Sequence, residues 1–154
     1  MKGNCMPENK EKELLRRWMA LWAEIDKTYI GFLKRWDLSL NAYWVIEYLH
    51  NHPQGAEPAE LADRINVMRQ LITIILNDLE KRGFLLRRES ELDHRRRIIR
   101  LSPDGELFAR EVCDAMEQFD LESLSAFTPA EREQMVENSR RFCDALKEAA
   151  ARRA

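Results

Sequence analysis

The chain has 154 residues, 45% of them hydrophobic and 34% charged, with a formal net charge of −2. A length of this order fits one domain, or one domain with helical extensions. With five glycines and five prolines the composition excludes long low-complexity tracts, and no apolar run approaches the roughly 18 to 20 residues of a membrane-spanning helix.

Residues 10–36 set Leu14, Trp18, Leu21, Trp22, Ile25, Tyr29, Phe32, Leu33 and Trp36 at helical spacing among Glu, Arg and Lys. That pattern predicts a long amphipathic helix whose aromatic-rich stripe needs a surface to cover it. Leu38-Ser39-Leu40-Asn41 opens a second helix, with Tyr43, Ile46 and Leu49 facing inward, ending before His52-Pro53. Pro53-Gln54-Gly55 marks a break. Pro58 suits the first turn of a short third helix, because its ring fixes a helical φ and its missing N–H would go unpaired there anyway. Leu61, Ala62 and Ile65 form the buried face of that helix. A tight turn at Ile65-Asn66-Val67 leads into a fourth helix, about Met68 to Arg82, stopped by Gly83. Two short helices joined in this way are a helix-turn-helix candidate.

Two apolar runs follow, Phe84-Leu85-Leu86 and Ile98-Ile99 with Leu101, separated by a charged tip. They predict a β-hairpin. Between residues 81 and 100 eight Lys/Arg stand against three Asp/Glu, a local charge of +5 that leaves −7 for the rest of the chain. Alone, such a run is most often a solvated turn. A cationic hairpin on an otherwise acidic chain, placed after a helix-turn-helix, is the footprint of a nucleic-acid contact. Ser102-Pro103 then starts a helix that keeps Leu107, Phe108, Val112, Ala115, Met116 and Phe119 in phase to about Ala126. Thr128-Pro129-Ala130-Glu131 is a capping-box sequence. It opens a last helix carrying Met135, Val136, Phe142, Cys143 and Leu146.

From Leu40 to Gly105 the chain resembles the winged helix-turn-helix of the MarR (multiple antibiotic resistance regulator) family. Glu60-Leu61-Ala62 opens the helix-turn-helix, and Leu79-Glu80-Lys81-Arg82-Gly83-Phe84-Leu85 matches the family's L-E-x-x-G-hydrophobic signature. Asp93-His94-Arg95 sits at the wing tip, and Leu101-Ser102-Pro103-Asp104-Gly105 stands where the family usually has L-T-x-x-G. The flanking helices also match in number and placement. The resemblance implies a mainly α fold with a small β-hairpin wing: a winged helix-turn-helix at 38–102, flanked by a helical dimerisation region at 10–36 and 103–151. It implies a homodimeric transcriptional regulator, a repressor, that binds double-stranded DNA at a pseudo-palindromic operator and answers to a small effector.

On the fourth helix Leu71, Ile72, Ile75, Leu76 and Leu79 must pack inward, which leaves Arg69, Gln70, Thr73 and Asn77 to face a major groove. Arg can read guanine bidentately, Gln can read adenine, and Thr offers a methyl for thymine or a hydroxyl for phosphate. Ile74 stands where the family often has a polar residue, so apolar contact or DNA shape carries more of the readout. In the wing, Arg95 is the candidate for a narrow minor groove, with Asp93 organising the tip by pairing with Arg95 or Arg97. Arg87, Arg88, Arg96, Arg97 and Arg100 are phosphate-contact candidates, and strand alternation lets only some of them reach DNA.

Trp18, Trp22, Trp36, Tyr43 and Trp44 have two readings: core packing, or the lining of a cleft for an aromatic effector of the kind that similar regulators bind. Cys113 and Cys143, on or near apolar helix faces, are expected as buried thiols. Cys5, Cys113 and Cys143 have no C-x-x-C pair, and His50, His52 and His94 have no metal-ligand spacing. No metal or cofactor is expected. The opening MKGNCMPENKEKE holds no apolar signal core, so a cytoplasmic protein without a membrane partner is expected. Absence of G-x-S-x-G, of a Gly-rich phosphate loop and of H-E-x-x-H argues against an enzyme. The competing expectation is a winged-helix module that binds an acidic protein and lacks specific DNA binding.

Overall fold

The computed structural model describes residues 8–89 and 97–153. The first helix, α1 (Glu8–Leu33), runs on through a short 3-10 turn (Lys34–Trp36) and stops at Asp37, whose φ of 53° and ψ of 48° are left-handed. α2 (Leu40–Asn51) starts at Ser39, whose hydroxyl accepts from the Ala42 N–H, and ends at His52, which stacks on Tyr48 at 4.0 Å. α3 (Pro58–Arg64) has proline in its first turn, as expected. The turn to α4 (Arg69–Lys81) needs a positive φ of 54° at Asn66 and is closed by the Val67 N–H bonding to Ala62 O.

Gly83, at φ 82°, ends α4. Its N–H reaches Glu80 O at 2.9 Å, and the Phe84 N–H reaches Leu79 O at 2.9 Å. This paired closure is a Schellman motif, which glycine favours because no Cβ opposes the left-handed backbone. The hairpin follows as β1 (Leu85–Glu89) and β2 (Arg97–Leu101), antiparallel, with Leu85 opposite Leu101 and Arg87 opposite Ile99. Strand alternation puts Leu85, Ile99 and Leu101 on the core face, where all three are buried.

One feature of the sheet escaped the sequence reading, which treated residues 53–55 only as a break. Ala56 bridges to Ile99 through two backbone bonds, 2.8 and 3.0 Å, so the hairpin gains a third edge from the segment before α3. A Cβ on Gly55 would lie 2.3 Å from Ile99 O.

α5 (Pro103–Leu124) begins at Ser102, whose buried hydroxyl donates to Gly83 O (2.6 Å) and accepts from the Gly105 N–H (2.9 Å). α6 (Pro129–Ala151) opens with the predicted capping box: Thr128 accepts from the Glu131 N–H, and the Glu131 carboxylate accepts from the Thr128 N–H.

The chain divides into two compact units, Met1–Val112 and Cys113–Ala154. In the first, Val45, Ile46 and Leu49 of α2 form a core with Leu61 of α3, the inner face of α4, and Ile99 of the hairpin. α6 buries none of its residues in the isolated chain. Cys143 is therefore exposed, against the expectation of a buried thiol, while Cys113 is half-buried. Among the described residues no helix is long and apolar enough to cross a membrane, and no three His, Cys, Asp or Glu gather as a metal site.

Candidate nucleic-acid interface

α4 is sharply two-sided. Ile72, Ile75, Leu76 and Leu79 are buried, Leu71 is half-buried, and Arg69, Gln70, Thr73, Ile74 and Asn77 are exposed. The 3.6-residue period therefore places the four expected readers together on one outward face. Ile74 joins them at 65% exposure, as does Met68 just before the helix at 74%. This face offers long apolar side chains beside its polar ones. Thr73 donates its hydroxyl to Arg69 O at 2.9 Å, the i−4 back-bond available to a helical threonine. Its methyl and the accepting lone pairs of its hydroxyl are left for a partner.

The wing arginines divide by strand face. Arg87 shares the inner face with Leu85 and Ile99, and its guanidinium turns to α4: Nε lies 2.8 Å from Glu80 Oε2, and Nη2 donates to Asn77 Oδ1. Arg88 and Arg97 are exposed, and Arg100 donates from Nε to Gln54 O at 2.8 Å. Asp93, Arg95 and Arg96 lie outside the described residues. Period-two alternation from Leu85 is the signal that would have separated Arg87 from Arg88 in the sequence.

Arg82, which the sequence reading passed over, anchors the base of this lobe. It donates to Trp36 O (2.7 Å) and Asp37 O (2.8 Å), and lies 5.1 Å over the Phe84 ring. Phe84 in turn stacks on Phe108 at 4.0 Å. No local pattern marks such a residue, since the two carbonyls it holds lie more than forty positions away.

The five candidate effector aromatics occupy separate environments. Trp18 and Trp22 meet edge to face at 6.4 Å on α1. Trp36 packs on Phe32 and donates to Glu111 Oε1 at 2.7 Å. Tyr43 is buried and donates to Glu47, whereas Trp44 is 39% exposed. Trp44 lines an open cleft of about 850 Å³ between α2 and the α3–α4 turn, together with Asn41, Tyr48, His52 and Arg64. At its wall Tyr48 donates to Glu60 at 2.7 Å, and the carboxylate holding that proton pushes the phenol above its ordinary pKa.

A model of the MarR family matches residues 36–96. Among curated proteins the chain is similar to the transcriptional repressor MprA of Escherichia coli K12, 32% identical over 101 residues that cover 66% of this chain and 56% of that protein. It thus spans little more than half of MprA. It is also similar to the HTH-type transcriptional regulator SarZ of Staphylococcus aureus, 26% identical over 121 residues, 77% of this chain and 78% of SarZ. Among solved structures, Streptococcus pneumoniae FabT in complex with DNA superposes with a TM-score of 0.75 at 18% identity, over 90% of this chain and 98% of that one. The S. aureus MepR–DNA complex gives 0.73 at 20% identity, over 85% and 96%. Both are likenesses of fold.

Proposed function

We propose that this chain, which matches a MarR-family model over residues 36–96, is a homodimeric transcriptional repressor of that family that binds a pseudo-palindromic operator. The observation that carries this reading is the two-sided recognition helix: an unbroken apolar face is buried, and Arg69, Gln70 and Thr73 project together from the other. A major groove admits one such helix, with side chains of this kind on base edges. Arg88 and Arg97 of the wing, with Arg95 and Arg96 of its tip, supply backbone and minor-groove contacts, and Asp93 organises the tip.

Dimerisation is supported by surface that one copy leaves in water. Leu14, Met19 and Leu21 of α1 are each more than half exposed, as are Val136 and Leu146 of α6. Large apolar side chains left exposed on two long helices suit an interface, and a second copy would cover each by symmetry. Residues 10–36 and 103–151 then serve dimerisation and 38–102 serves DNA. A small aromatic effector, received beside Trp44 or another of the candidate aromatics, would be linked reciprocally to DNA affinity.

The exposed Met68 and Ile74 favour one second reading, a winged-helix module that docks an acidic, partly apolar protein surface. Selection from a random-sequence duplex library separates the two. The regulator recovers an inverted repeat with half-sites about one helical turn, ~10 bp, apart; recovery of no common sequence overturns it.

A further inference from the structure

Arg87 looks in sequence like one more phosphate clamp, but its geometry points the other way. We propose that Arg87, Glu80 and Asn77 form a positioning clamp that locks the wing to the recognition helix, so that Arg87 serves DNA binding through the helix and not by touching phosphate. The inference rests on the regulator reading for its consequence in DNA binding, and on the free protein for its geometry.

Three observations carry it. The strand register places Arg87 opposite Ile99 on the core face of the hairpin, while Arg88, one residue on, is on the open face with Ile98. The Arg87 side chain is only 26% exposed and meets α4 twice: Nη2 donates to Asn77 Oδ1, and the buried Nε lies 2.8 Å from Glu80 Oε2 as an ion pair, off the line of a hydrogen bond. Asn77 and Glu80 are three residues apart on one helix, so their side chains rise side by side and offer the guanidinium one hydrogen-bond acceptor and one opposite charge. A guanidinium held by one hydrogen bond and one ion pair on a rigid helix has little rotamer freedom left to seek a phosphate.

The clamp also gives a reason for the glutamate of the Leu79-Glu80-Lys81-Arg82-Gly83 segment. The Schellman closure at Gly83 reverses the chain, so the strand leaving the helix runs back beside its last turn. A carboxylate at position 80 then faces a strand side chain two residues beyond Leu85. Asn77 becomes part of the support: its carbonyl accepts from Arg87, which leaves its amide N–H groups and one oxygen lone pair for a base.

The sign of one substitution tests the proposal. Removing an acidic group from a DNA-binding lobe strengthens binding if charge alone matters. The clamp requires the opposite: Glu80→Gln weakens binding to a duplex that the wild-type chain has selected from a random library, by about tenfold. Arg87→Gln weakens it equally, the double variant is no worse than either single one, and the slope of log affinity against log salt stays at the wild-type value. The charge swap, Glu80→Arg with Arg87→Glu, recovers part of the loss. A phosphate contact at Arg87 instead lowers the slope by about 0.9 in Arg87→Gln, with Glu80→Gln neutral or tighter; that result overturns the proposal. Amide hydrogen exchange in the free, full-length protein decides the geometry independently of any duplex. Residues 85–88 and 98–101 exchange faster in both single variants, and unchanged exchange contradicts the clamp even if the wild type selects no DNA.

Discussion

The Arg82 guanidinium at the end of the recognition helix donates to the main-chain oxygen of Asp37, 2.8 Å away and 45 positions back in the chain. Asp37 sits in a left-handed turn between the first two helices, where a non-glycine residue is uncommon. A second bond to Trp36 O and the stacked Phe84–Phe108 pair complete the seat. The orientation of the recognition helix is thereby tied to the end of α1, the helix assigned above to dimerisation.

Arg82→Met should lower thermal stability by about 2 kcal/mol, since the main-chain oxygens of Trp36 and Asp37 lose a charged hydrogen-bond donor. For a chain of this size that is a fall in Tm of roughly 4 to 8 °C. Arg82→Lys should recover less than half, because an ammonium cannot span both oxygens as the planar fork does. Calorimetry of both variants checks this; equal stability of Arg82→Met and wild type contradicts it.

Gly105→Ala should be among the most damaging small substitutions in the winged region. A Cβ there would lie 2.0 Å from Phe84 O, a backbone atom that cannot step aside alone. The start of α5 would have to separate from the Phe84 strand entry, loosening the Ser102 hydroxyl that joins Gly83 O to the Gly105 N–H. Denaturant unfolding should show a loss of several kcal/mol, at the upper end for single substitutions.

The capping box of α6 carries a pH signature. The Thr128 N–H and hydroxyl both donate to the Glu131 carboxylate and hold it below its ordinary pKa. A carboxyl with a lower pKa folded than unfolded stabilises the folded state above the ordinary glutamate value, about 4.3. That contribution is lost as pH falls through the lowered folded value. Thr128→Ala should cost about 1 kcal/mol at neutral pH, and the gap from wild type should shrink at the acid end. A gap independent of pH would show that the carboxylate is not part of the cap.

How legible this was in the sequence differs by element. The register of α4 was readable because a helix buried on one side must repeat its apolar residues every 3.6 positions, and Ile72, Ile75, Leu76 and Leu79 do so. The capping box was readable because its partners are three residues apart. The Ala56–Ile99 bridge was not, since one paired residue has no period. Arg82 was invisible as an anchor because the carbonyls it holds are distant in the chain; the strand face of Arg87 was readable from period-two alternation, but its partners on α4 were not, so its charge read as charge for DNA. The aromatic residues gave the weakest guidance, because a stripe of tryptophans looks the same whether it is covered by core, by a second copy or by a ligand.

Within the interface, Arg69→Ala and Gln70→Ala should relax preference at individual base pairs by about 1 to 3 kcal/mol each. Arg88→Ala and Arg97→Ala should weaken all duplexes alike and reduce the salt slope by about 1 each. Competition with single-position duplex variants distinguishes the two patterns. Uniform loss in the first pair would move Arg69 and Gln70 from base edges to the DNA backbone.

The central claim is sequence-specific DNA binding by a dimer, and the affinity ratio tests it most directly. The full-length chain should bind its selected inverted repeat at least about a thousandfold more tightly than random duplex at physiological salt, with two chains per duplex. Comparable affinity for both duplexes, or one chain per duplex at saturation, would contradict the account.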